Sequence, residues 1–134
     1  MRKTKIEDAQ GRELFADACE MVGIVERMRG MTALAEAPAD DFAMIFHRCP
    51  RVQCKAMRFP IDVAHLDRDG RVLAVATVAP GQMGPAVKGC RTCVEMRAGR
   101  AAELGIEPGC VLRAKRAQMP PLDTRTGSNR SRNA

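Results

Sequence analysis

The chain's capacity for chemistry lies mainly in its cysteines. Cys49-x4-Cys54 and Cys90-x2-Cys93 place four thiols in two closely spaced pairs. Thiolates at such spacing can ligate zinc, and a Cys-x-x-Cys pair can cycle between dithiol and disulfide. Strand alternation would turn Cys93 away from Cys90 unless Cys90 lies in the preceding turn. Free cysteine also packs readily as a small buried hydrophobe. The expected role is therefore packing, with Cys93 facing the core, Cys90 pointing elsewhere, and no bound metal or cofactor. The alternative is a cysteine metal-binding site of Cys49, Cys54, Cys90 and Cys93, or a thiol-redox protein.

Asp62 is the second candidate. Ala64 and Leu66 share its face of a strand, so a carboxylate there needs a partner. Arg27, Arg29 and Arg58 are available. A structural ion pair is one account. The other is a site for a small anionic or sugar-like ligand built on Arg27, Arg29, Arg58 and Asp62, since guanidinium groups bind anions bidentately. Asp62 and His65 face opposite sides of the strand and make a poor acid–base pair. Asp67-x-Asp69-Gly70 matches the start of a calcium loop, but Val78 stands where the loop's last ligand, a Glu, belongs. A hairpin turn is the better reading.

Composition removes other chemistries. Ser128 and Ser131 are the only serines, and there is no Tyr or Trp, which excludes a serine nucleophile from the body of the chain. The net charge is +6; from Arg113 onward six basic residues face Asp123 alone, leaving the rest nearly neutral. Those cations have no aromatic among them, so no specific nucleic-acid partner is expected. No segment approaches the roughly 20 apolar residues of a membrane span. Ile6-Glu7-Asp8 interrupts what would be a signal sequence after Lys5, so a cytoplasmic protein with reduced thiols is expected.

The elements that must position these groups read as short strands. Pro60 lacks an N–H and can only start or edge a strand. After it, 61–66 alternates, Asp69-Gly70 turns the chain, and 71–78 returns. Strand character is also expected within 12–21, over 42–46, 91–96 and 111–116. Ile24, Met28 and Met31 at helical spacing predict a short helix over 24–34, and a second spans 98–104 with Gly105 after it. The pattern predicts an α+β, β-rich fold: a compact antiparallel or mixed barrel or sandwich of six or seven short strands with two short helices. Residues 1–11 are expected to be loose, 12–116 to form a single domain, and 117–134 to be a disordered basic tail.

These residues carry a resemblance. Met57-Arg58-Phe59-Pro60-Ile61-Asp62-Val63, followed by Leu66-Asp67-Arg68-Asp69-Gly70-Arg71-Val72, resembles the signature of the domain of unknown function 192 family. Arg27-Met28-Arg29-Gly30-Met31 is similar to the family's early Arg-x-Arg-Gly-Leu motif. Val94-Glu95-Met96 with Ala98 to Gly105, and the Pro108-Gly109 turn, resemble its ending. The resemblance implies a small β-rich prokaryotic domain, often exported, with no established activity, so no catalytic residue follows from it. Gln53, Lys55, His65, Cys110 and Leu34 depart from the family's usual His, Phe, Phe, Asp and Arg. The expected function is a non-catalytic accessory module that binds a small ligand or a partner protein.

Overall fold

The computed structural model describes residues 1–49, 51–52 and 56–116. Cys54 and the segment 117–134 lie outside the described residues, as do Gln53 and Lys55. Among the described residues seven strands form one mixed sheet: β1 (Arg2–Asp8), β2 (Glu13–Glu20), β3 (Phe42–His47), β4 (Ile61–Leu66), β5 (Val72–Val78), β6 (Thr92–Arg97) and β7 (Leu112–Arg116). Two short helices, α1 (Ile24–Arg29) and α2 (Arg100–Leu104), and a 3-10 turn, Gly30–Ala33, complete the fold. This is the β-rich α+β architecture expected from the strand pattern.

The strand order is β5-β4-β6-β3-β2-β1-β7. Among the described strands only β2 and β3 pair in parallel. The sheet curls until its two edges meet at one end, where Arg71 bridges Val111 and the Val72 N–H donates to the Cys110 carbonyl at 2.7 Å. A half-barrel results.

Side-chain alternation divides the interior in two. Phe15, Ile45, Ala64, Leu66, Val94 and Met96 fill the concave face. Met44, Phe46, Ile61, Val63 and Cys93 lie on the convex face, covered by Met31, Val52, Met57 and Phe59. Ile61 and Val63 thus oppose Ala64 and Leu66, as the period of two in 61–66 requires.

Two expectations need correction. Residues 2–8 are not loose: β1 pairs with both β2 and β7. Thr4 and Ile6 are buried between exposed Lys3 and Lys5, so the segment alternates like any strand with one wet face. Met28 does not join an apolar helix face with Met31. Gly30 adopts φ +46 and ends α1, putting Met31 into the core while Met28 stays 80% exposed.

Candidate functional site

The convex face carries an open cleft of about 410 Å³. Its walls come from α1 and the 3-10 turn on one side and from Cys49, Arg51, Val52 and Met57 on the other; Phe46, Ile61 and Glu95 also line it. Gly30 lets this covering layer close. A Cβ there would stand 3.1 Å from the tip of the Phe46 ring, and few residues but glycine adopt its φ. Arg27 lies over the Phe46 ring with its guanidinium carbon 6.0 Å from the centroid. The Arg51 Nε donates to the Gly84 carbonyl at 2.8 Å. Arg29 completes the positive lining.

Glu95 is the group that makes this cleft unusual. It lies mid-strand on β6 and is buried on the convex face with Cys93, opposite Met44 and Val63. No described residue gives it a hydrogen bond or an ion pair. Burial, and secondarily the negative charge of a Cys49 thiolate, push its pKa up to about 8. At neutral pH the carboxyl is mostly protonated, and it can donate one hydrogen bond and accept another.

Three thiols meet beside it. Cys90 closes a turn, its N–H donating to the Val87 carbonyl at 3.1 Å, so strand alternation does not govern it. Its Sγ lies 3.8 Å from that of Cys93. Cys90 therefore does not point elsewhere; the turn returns it to its neighbour. The Cys93 thiol donates to the Cys49 carbonyl at 2.9 Å, and Cys49 and Cys93 also interact through their side chains. That interaction, with help from the Arg51 backbone and the Arg27 charge, lowers the Cys49 pKa to about 6 despite burial. The same contact, together with burial, raises that of Cys93. Directly opposite Cys93, on β4, lies the fully buried His65, whose ring has no partner other than the Ala74 backbone among the described residues. Burial lowers its pKa. Among the described residues no group of three or more His, Cys, Asp or Glu side chains is arranged to hold a metal ion.

The residues singled out in the sequence separate. Arg27 and Arg29 line the cleft. Arg58 is exposed and is not among the residues lining it. Asp62 is buried on the other face of the sheet, against the concave core. Its partners are the Thr77 hydroxyl at 2.7 Å and the N–H groups of Gly99 and Ala101 at 2.9 and 3.2 Å. The ion pair with an arginine is therefore corrected to a set of neutral donors. Glu95 was missed, although the alternation that places Cys93 on the convex face also places Glu95 there.

At the mouth of the half-barrel Glu20 is buried, bonded to the His47 ring at 2.8 Å and to Arg2 at 3.1 Å. The adjoining pocket measures about 170 Å³.

Comparisons with known proteins agree with this fold. A structure from Sinorhizobium meliloti 1021, provisionally described as a transcription regulator, superposes with a TM-score of 0.71 at 21% identity, covering 84% of this chain and 93% of that one. A protein of unknown function from Novosphingobium aromaticivorans DSM 12444 gives 0.65 at 24% identity, covering 83% of each. At those identities the likeness is one of fold. No curated protein matches the chain. The family model of DUF192, described as an uncharacterized ACR, matches residues 21–114, which include both walls of the cleft and all of β3 to β6. The chain belongs to the DUF192 family.

Proposed function

We propose that the protein is a non-catalytic binding module whose convex-face cleft takes a small hydroxylated organic anion, such as a sugar acid. The observation that carries this reading is the Glu95 carboxyl, buried and without a partner among the described residues, in an arginine-lined cleft. Its oxygens open to the cleft, where a ligand hydroxyl or carbonyl can hydrogen-bond the carboxyl. Arg27, Arg29 and Arg51 suit the anionic end, while Phe46, Met31 and Met57 supply the apolar floor. The cleft's volume is in the range of small-ligand sites. The binding set is thus Arg27, Arg29, Arg51 and Glu95, without Arg58 or Asp62. A reducing, cytoplasmic compartment belongs to the same proposal, because it keeps the thiols beside the cleft free. No described helix is long and apolar enough to cross a membrane.

Calorimetric titration at pH 6.5 tests it, with gluconate, glucuronate and glucose 6-phosphate as probes and glucose and acetate as controls. Saturable binding of at least one hydroxylated anion is expected, weakened about tenfold or more by Arg27→Ala. Equal binding to the arginine variant, or none by any probe, would contradict the reading.

A further inference from the structure

The three thiols beside the cleft differ in exposure in a way that packing alone does not require. Cys49 is half-buried and lines the cleft, whereas Cys93 is fully buried and Cys90 nearly so. They form one cluster: the Cys93 and Cys90 thiols both donate to the Cys49 carbonyl, at 2.9 and 3.5 Å, and their sulfurs lie 3.8 Å apart. The Cys90 and Cys93 sulfurs at 3.8 Å need to close by less than 2 Å to bond.

We propose that Cys49, Cys93 and Cys90 form a three-thiol relay that accepts oxidising equivalents from a hydroperoxide at the cleft and stores them as a buried Cys90–Cys93 disulfide. The Cys49 thiolate attacks the nearer peroxide oxygen and the O–O bond breaks. The leaving alkoxide takes a proton and departs as alcohol, or as water when the oxidant is hydrogen peroxide. Cys49 is left as a sulfenic acid. The Cys93 sulfur then attacks the Cys49 sulfur; its proton and the sulfenic hydroxyl leave as water, and a Cys49–Cys93 disulfide forms. Finally Cys90 attacks the Cys93 sulfur, gives up its proton, and expels Cys49. Two thiols and one hydroperoxide have become one disulfide, one alcohol and one water. The lowered pKa of Cys49 favours its role at both ends, as the reactive thiolate and as the better leaving group. The relay is independent of which organic anion the cleft binds.

Trypsin cleaves after Arg48, Arg51, Lys88, Arg91 and Arg97, so the three cysteines leave on separate peptides whose cross-links are unambiguous. The full chain, reduced and then treated with one equivalent of hydrogen peroxide, should lose two hydrogens and yield peptide 89–91 joined to 92–97. Cys90→Ala should stop at the 49–51 to 92–97 cross-link. Cys93→Ala should accumulate a Cys49 sulfenic acid that dimedone traps. Cys49→Ala should oxidise about tenfold or more slowly. In the parent the rate should be half-maximal near pH 6, against about 8.5 for free cysteine. Circular dichroism of each variant excludes misfolding as the cause, and the parent's pH profile stands without any variant. A Cys90–Cys93 bond formed as fast in Cys49→Ala, a cross-link elsewhere, or no disulfide at all would overturn the relay.

Discussion

The Asp62 carboxylate caps α2 from across the fold: its Oδ2 accepts the Gly99 N–H at 2.9 Å, along with that of Ala101. Gly99 precedes the helix and has no side chain to do this itself. Asp62→Ala leaves two N–H groups and the Thr77 hydroxyl without their acceptor, and should cost about 1–3 kcal/mol in denaturant titration. Asp62→Asn keeps an oxygen for the two N–H groups and an amide for the hydroxyl, and should cost clearly less. Equal losses would show that charge, rather than acceptor geometry, holds α2.

Gly70 and Gly11 form a matched pair. Both end hairpin turns at nearly the same left-handed φ, +85 and +83. A Cβ on Gly70 would stand 2.6 Å from the Leu112 carbonyl oxygen, whereas one on Gly11 meets nothing within 4 Å. Gly11→Ala should cost about 1 kcal/mol for the backbone alone. Gly70→Ala should exceed it by at least as much again, because it also wedges apart the point where the sheet's edges close. Thermal melts of the two variants make the comparison.

Glu95 gives stability a definite pH slope. The folded chain keeps this proton up to about pH 8, while the unfolded chain releases it near 4.5. Between those values the folded state binds the extra proton, so this contribution is complete at the acid end and is lost as pH rises. The slope approaches about 1.4 kcal/mol per pH unit at most. His65 acts in the other sense: its depressed pKa withdraws stability as pH falls below about 6.5. Glu95→Gln isolates the first effect. Its stability should exceed the parent's by a margin that grows from pH 5 to pH 8. A constant margin would mean that Glu95 is ionised in the fold.

Strand β7 ends at Arg116. Deleting 117–134 should therefore leave the melting temperature within error of the parent's, as the low apolar content of that segment suggests. A large drop would mean that Met119 or Leu122 docks on the body.

What was legible in the sequence was the hairpin, because Pro60, the alternation over 61–66 and Asp69-Gly70 each have a local cause. Gly105 as the end of α2 was legible for the same reason, and it adopts φ +72. Strand β1 was not. Its buried face consists of Thr4 and Ile6 between charged residues, and the charges outweighed the alternation. Asp62 was correctly marked as a buried carboxylate in need of partners. Those partners were backbone N–H groups, which no residue type announces, and the arginines proposed for it lie across the sheet. Cys90 was misplaced because its side chain belongs to a turn, where the period of two does not apply. The candidate site was half legible: Arg27 and Arg29 stood out by motif, whereas Arg51 and Glu95 became visible only once the covering layer was in place.

The central claim is that the convex-face cleft is where a hydroxylated anion binds. Backbone amide shifts of the ¹⁵N-labelled chain, followed while gluconate, glucuronate or glucose 6-phosphate is added at pH 6.5, test it most directly. The account predicts saturable shifts grouped at residues 27–32, 46–49, 51–52 and 93–96, absent from the Glu95→Gln, Arg27→Ala double variant. Shifts grouped instead around Glu20, His47 and Thr92 at the half-barrel mouth, or no saturable shifts with any of the three, would contradict it.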